Sequence, residues 1–238
     1  GFGLREAAGR PTWARQLEVT KKASNLLSRN LAAQLTPTQA DLDAYGIGAL
    51  SPSISNGNAK EQLTNIGRSL ITTARAFKLG VLTNSVMIAT TDVGTGDDQF
   101  TDPHKAFTNM PQLQAVVALF GQMFNAFYKD LASSPDPSCP NQTLDKSVIF
   151  TVHGDTPKTP RQTAAWPDGT EGDSNWLYVM GAGYVKTGWY GGINADGSVV
   201  GFNPATGEDV AGQASNVTTG AACAAVAYAV AKGNLSKV

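Results

Sequence analysis

The chain has 238 residues, of which 42% are hydrophobic and 16% are charged, and its formal net charge is -1. This length suits one α/β domain or two small domains. The weak overall charge offers no basic footprint for nucleic acid and no cationic face for anionic lipid. No apolar run is long enough to span a bilayer, so we expect no membrane span. The chain starts at Gly1 without an initiator Met or signal peptide, which indicates a mature, trimmed or partial chain.

Helical patterns dominate the first part of the chain. Apolar residues at helical spacing, including Trp13 and Leu17, predict an amphipathic helix over residues 13–35. The sequence Thr-Pro-Thr-Gln at residues 36–39 has the form of a helix start, which predicts a short second helix to about Ala44. A Gly-, Ser- and Pro-rich loop then separates a helical N-terminal segment, residues 1–57, from a domain over residues 58–238.

The next segments predict a parallel sheet. A capped helix over residues 58–80 leads into a β-type run at residues 85–90. An acidic, Gly-containing loop and a helix starting at Pro111 follow, and then a strand at residues 148–152 that ends in His153. The order helix, strand, helix, strand is typical of a parallel sheet with helices packed on its faces. Ligands collect at the carboxyl ends of such strands.

The last third predicts shorter elements around long loops. After a polar loop we expect a strand at residues 177–180 and a Gly-rich turn. A hairpin around residues 194–197 follows, with Val199, Val200 and Phe202 on its return strand. An Ala-rich helix from Thr219 to about Lys232 completes the predicted elements.

The order of motifs resembles the C-terminal half of an exported bacterial family of unknown function in the alkaline-phosphatase/sulfatase superfamily. The resemblance spans roughly residues 40–233. It is carried by the helix and strand at residues 59–91, the acidic loop after them, the strand end His-Gly-Asp-Thr-Pro at residues 153–157, and Gly172-Asp173 followed by Trp176. It implies a doubly wound, mainly parallel α/β sheet, export to the periplasm or medium, and Asp and His ligands for one or two divalent metals.

The chain departs from that family's pattern at the ligand positions. Val152 occupies the position of a family acid, and Asp155 that of a family Arg. The family's Asp-His-Trp becomes Asp-Ser-Asn-Trp at residues 173–176, and its Asp-x-His loop reads Asp-Asp-Gln at residues 97–99. The family's N-terminal part, which holds the nucleophile, has no counterpart here.

The remaining candidate metal ligands are Asp97, His153, Asp155 and Asp173, with Asp92 as a further one. Because the chain has only two histidines, a metal would be held mostly by carboxylates, which favours Ca²⁺ or Mg²⁺ over Zn²⁺. The alternative is that these acidic residues are solvated or cap turns, and that His153 donates a hydrogen bond to a neighbouring carboxylate instead of binding metal.

Two further sets of residues allow two interpretations each. Cys139 and Cys223 are compatible with a disulfide or with two buried thiols. The aromatic residues of the second half, above all Trp189 and Tyr190, could fill the core or form an exposed patch for a protein, peptide or carbohydrate.

The chain resembles the family's scaffold but retains few of its metal-ligating residues. This combination predicts a non-catalytic pseudoenzyme that serves as a structural or binding component of an assembly. The alternative function is a metal-dependent hydrolase of phosphate or sulfate esters, with its nucleophile supplied by chain outside these residues. A half sheet would leave an open edge, so we expect a protein partner or a second copy to cover it.

Overall fold

A computed structural model describes residues 11–28, 30–55, 57–82, 109–153, 177–183, 185–193, 199–203 and 208–210, together with positions 206, 227, 230–232, 234 and 236. The chain divides into two compact units, Gly1–Thr38 and Gln39–Val238. The boundary after residue 57, between a helical segment and a larger domain, stays a prediction.

The first unit holds helix α1 (Pro11–Ser28) and the short helix α2 (Leu31–Leu35). The periodicity predicted one helix over residues 13–35, but a new helix starts after Asn30. The side-chain oxygen of Asn30 accepts a hydrogen bond from the backbone N–H of Ala33 at 3.2 Å. Asn is favoured at this position because it satisfies a donor that the first helical turn leaves open.

The second unit combines helices with short strands. Its described helices are α3 (Gln39–Ala44), α4 (Gly57–Lys78), α5 (Met110–Ser133) and a 3-10 turn at Leu144–Lys146. Its described strands are β1 (Pro135–Asp136), β2 (Cys139–Thr143), β3 (Phe150–His153), β4 (Leu177–Gly181), β5 (Val185–Tyr190), β6 (Gly192–Ile193), β7 (Val199–Phe202) and β8 (Asp209–Val210). The helices expected before Ala44, over residues 58–80 and from Pro111 are confirmed.

Helices α4 and α5 form the centre of this unit by packing apolar stripes against each other. The buried apolar residues of the two stripes are Ala59, Leu63, Leu70, Ile71 and Ala74 on α4, and Val116, Leu119, Met123, Phe127 and Leu131 on α5. Burying a side chain of the size of Leu or Phe contributes about 2 kcal/mol. The long helices are therefore stabilised mainly by each other.

The loop after α3 closes this core. Tyr45, Ile47 and Ile54 are buried, and the Tyr45 hydroxyl donates a hydrogen bond to Asp130 Oδ2 of α5 at 2.7 Å. Burial raises the pKa of Tyr45, and the Asp130 carboxylate raises it further, so the hydroxyl stays protonated and remains a donor. The loop is thereby tied to α5.

The described strands form three small sheets, in the orders β1–β2, β3–β4–β5 and β6–β7–β8. All of their pairings are antiparallel. The hairpin region expected near the C-terminus is confirmed by the pairing of β6 with β7, in which Ile193 lies opposite Val199. The C-terminal Ala-rich helix falls mostly outside the described residues.

The doubly wound, mainly parallel sheet is wrong for the described part of the chain. Strand β3, which the sequence placed in that sheet, runs antiparallel to β4, with Phe150 opposite Met180. Strands β4 and β5 are joined by a tight turn in which Ala182 and Gly183 have φ values of 51° and 84°, so no crossover helix lies between them. The partial alkaline-phosphatase-like fold, which requires that parallel sheet, is therefore also wrong for these residues. The strand expected at residues 85–90 lies outside the described ranges.

Candidate interaction surface

Helix α5 has no charged residue between Met110 and Tyr128, although one of its sides faces solvent. On that outward side Val117 is 62% exposed and Tyr128 is 42% exposed. A surface helix normally carries charged residues opposite its apolar stripe. The outward side of α5 is therefore suited to contact with another protein surface.

One face of the sheet β3–β4–β5 is aromatic. Residues that pair directly on neighbouring strands lie on the same face, so Val152, Tyr178 and Trp189 form a row across the sheet. Phe150 and Met180 form the next row on this face, because side chains two residues apart along a strand share a face.

Helix α5 packs on the row that contains Phe150. The Phe150 ring centroid lies 5.3 Å from that of Phe124 and 5.3 Å from that of Phe127. In the other row Trp189 is 60% exposed, and its ring centroid lies 5.0 Å from that of Tyr178. An exposed Trp that packs on a second ring presents a large, rigid contact area, which is the kind of residue that dominates binding energy at interfaces.

A hollow of about 160 Å³ lies between α5 and this sheet. Among its lining residues are Tyr128, Leu131, Lys146, Val148, Met180 and Thr187. Thr187 precedes Trp189 by two residues on β5, so the two side chains lie on the same face of the sheet. Pockets for small molecules measure about 300–1,000 Å³, whereas this hollow has room for about one side chain. Val117, Tyr128, Tyr178, Trp189 and the hollow together are called the Tyr128–Trp189 surface below.

The charged residues at the hollow neutralise each other. Lys146 Nζ lies 2.8 Å from Asp145 Oδ2, and Thr143 donates a further hydrogen bond to that carboxylate. Burial opposes ionisation of Asp145, but the bonds from Lys146 and Thr143 outweigh it and lower the pKa of the carboxyl. The same bond raises the pKa of Lys146. The pair stays ionised at neutral pH and adds no net charge to the hollow.

The side chains of the four predicted metal ligands lie outside the part of the chain that the structure describes. Asp97, Asp155 and Asp173 lie outside the described ranges, and so does the side chain of His153, whose backbone ends β3 opposite Leu177. Within the described part of the chain, no three side chains of His, Cys, Asp or Glu are placed to hold a metal ion. A site for a divalent metal at these four residues stays a prediction.

Cys139 begins β2 as a partly buried residue, and its backbone N–H donates to Asp136 Oδ1 at 3.2 Å. Cys223 lies outside the described residues. The pairing of Cys139 with Cys223 stays a prediction.

Trp189 and Tyr190, the two neighbouring aromatic residues of β5, differ in their exposure to solvent. Trp189 is exposed, whereas Tyr190 is 2% exposed and packs on Phe202 with ring centroids 5.3 Å apart. Sequence reasoning missed Tyr128 and the outward side of α5. The signal for it was present as the absence of charge from Met110 to Tyr128.

Comparisons with protein families, with curated proteins and with solved structures gave no match. Of the helices in the described ranges, none has the length and apolar character needed to cross a bilayer.

Proposed function

We propose that this chain is a non-catalytic, protein-binding component of a larger assembly and that it binds through the Tyr128–Trp189 surface. The observation that supports this most is that the exposed Tyr128 lines a hollow of about 160 Å³, and that the exposed Trp189 shares a sheet face with Thr187, another residue of its lining. Aromatic residues around a side-chain-sized recess are typical of the energetic centre of a protein interface.

The hollow also favours a protein partner over a small-molecule substrate. Leu131, Val148 and Met180 give it apolar walls, and the ion pair of Asp145 with Lys146 cancels the charge beside them. A recess of this size is too small for most small-molecule ligands but can take one side chain of a partner. Water released from this apolar area would supply the driving force.

Binding can be tested while the partner is still unidentified. The full chain would be immobilised and panned against a peptide-display library, and its self-association would be followed by sedimentation equilibrium. We expect enriched apolar peptides or a dimer, and in either case Trp189→Ala should weaken binding at least about tenfold. Circular dichroism would show that the variant is folded.

Met110→Ala is the matched control for the binding experiment. Met110 is also an exposed apolar residue of α5, 39% exposed, but it starts the helix about 27 Å from Tyr128. We expect this variant to bind like the wild type. Equal losses in both variants, or the absence of both self-association and Trp189-dependent peptides, would refute the proposal.

The alternative, a metal-dependent phosphate- or sulfate-ester hydrolase, stays a prediction, as does export from a bacterial cell. Generic phosphate and sulfate monoesters with Zn²⁺, Mg²⁺ or Ca²⁺ provide the assay. We expect no turnover. Turnover that is lost on His153→Ala would overturn the non-catalytic part of the proposal.

A further inference from the structure

The charges of the chain are divided unequally between its two units. Residues 1–38 contain six Lys and Arg residues and two Glu residues, a net charge of +4. Residues 39–238 contain the other twelve basic residues and all seventeen other acidic ones, a net charge of -5. The whole-chain net charge of -1 is the sum of these opposite charges and hides the basic first unit. The sequence-based expectation of no cationic face for anionic lipid is drawn from that sum.

Helix α1 separates its basic and apolar positions. Arg15, Lys21 and Lys22 fall within about a third of the helix circumference at 3.6 residues per turn. All three are exposed, and Lys22 Nζ lies 2.9 Å from Glu18 Oε1 on the same side.

The remaining side of α1 is free of charge. Val19 is 61% exposed there and Leu17 is half-buried. The apolar positions that share this side by helical spacing are Trp13, Ala23, Leu26 and Leu27, and the polar ones are Thr12, Gln16, Thr20, Ser24 and Ser28. A side that carries apolar residues and no charge, opposite a side rich in Lys and Arg, is found in helices that lie in a membrane surface.

We propose that α1 docks on an anionic phospholipid surface. The helix would lie along the surface, with its uncharged side at the boundary between headgroups and acyl chains. Arg15, Lys21 and Lys22 would face the lipid phosphates, to which the net charge of +4 on residues 1–38 is complementary. A nucleic acid would match the charge but leave the apolar residues of the uncharged side in water, so lipid fits both sides of the helix.

The test uses the full chain and two kinds of vesicle, pure phosphatidylcholine and phosphatidylcholine mixed with phosphatidylglycerol. In flotation, we expect binding to the mixed vesicles only, and weaker binding as salt screens the attraction. Lys21→Glu combined with Lys22→Glu should weaken it at least about tenfold. Val19→Ser should weaken it without changing the charge.

Lys60→Glu combined with Lys129→Glu is the matched control, because it makes the same change in net charge at two exposed lysines of the second unit. This control variant should bind the mixed vesicles much more tightly than the variant with Lys21→Glu and Lys22→Glu. The proposal fails if the two double variants lose binding equally, if both kinds of vesicle bind alike, or if neither binds. It also fails if double-stranded DNA binds more tightly than the mixed vesicles, or if the Lys21 and Lys22 substitutions alter only the oligomeric state.

Discussion

Asp136 organises the turn between β1 and β2. It is 5% exposed, and its Oδ1 accepts hydrogen bonds from the backbone N–H groups of Ser138 at 2.7 Å and Cys139 at 3.2 Å. Its Oδ2 accepts from the Ser147 hydroxyl and from Gln142 Nε2. One carboxylate thus fixes the turn and joins it to the chain that leads into β3.

These bonds make stability depend on the charge of Asp136. The hydrogen bond from Ser147 is the main reason that the pKa of the carboxyl is lowered, although burial opposes it. Below the ordinary Asp pKa of about 4, the unfolded chain takes up a proton before the folded one does. The free energy of unfolding therefore falls as pH decreases through that value toward the lower pKa of the folded state.

Asp136→Asn should destabilise the protein by about 2 kcal/mol at neutral pH, because the amide nitrogen cannot accept the bonds from Ser147 and Gln142. Urea unfolding at neutral pH and at about pH 3 measures both the loss and its pH dependence. The variant should lose less stability on acidification than the wild type. Asp209→Asn, at an exposed carboxylate, is the control and should change little. Parallel behaviour of the two variants would contradict this account.

Among the elements, α4 shows how one small residue sets the distance between segments. A Cβ placed on Gly67 would lie 2.7 Å from Ile47 Cδ1 and 2.9 Å from Ile47 Cγ2. The loop that carries Ile47 therefore packs directly on the helix backbone. In contrast, a Cβ on Gly121 of α5 would meet no atom within 4 Å.

This contrast predicts opposite effects of one substitution. Gly67→Ala should destabilise by about 1–3 kcal/mol, because Ile47 must move out of a filled core. Gly121→Ala should stabilise by up to about 1 kcal/mol, because Ala is the better helix former and nothing opposes it. Urea unfolding of both variants measures the two changes in the free energy of unfolding. If both changes had the same sign, the prediction would be refuted.

The sequence predicts the helices of the second unit well but not the rotation of α5. Leu113, Phe120 and Phe124 have the spacing of a buried stripe, but they are only partly buried, whereas Leu119 and Met123 are buried. The periodic signal is weak here because nearly the whole helix surface is apolar or uncharged. The absence of charge from Met110 to Tyr128 makes the buried side of α5 hard to predict, and it also indicates the candidate interaction surface.

Strand positions were also easier to predict than strand directions. The strand expected at residues 177–180 is β4, but the alternation of side chains is the same in parallel and antiparallel pairs. The direction of β3 is decided by its contacts with β4 and α5, which no local pattern contains. The exposure of Trp189 and the hollow beside it likewise arise only when α5 and the sheet pack together.

At the scale of the whole molecule, the second unit carries its own core. All members of the buried apolar cluster, from Tyr45 to Leu144, belong to residues 39–238. We therefore expect a chain that lacks residues 1–38 to unfold in urea at nearly the same midpoint as the full chain. Its net charge becomes -5, so it should bind an anion exchanger more tightly. A clearly lower midpoint would show that the first unit contributes to the core.

The order of the strands along the chain has a kinetic consequence. Strands β4 and β5 are joined by the turn at Ala182 and Gly183, whereas β3 reaches β4 only across residues 154–176. Closing a short loop costs less chain entropy than closing a long one. The β4–β5 hairpin should form first during folding and bring Tyr178 and Trp189 into contact. Strand β3 would join this hairpin later, together with the helix that covers Phe150.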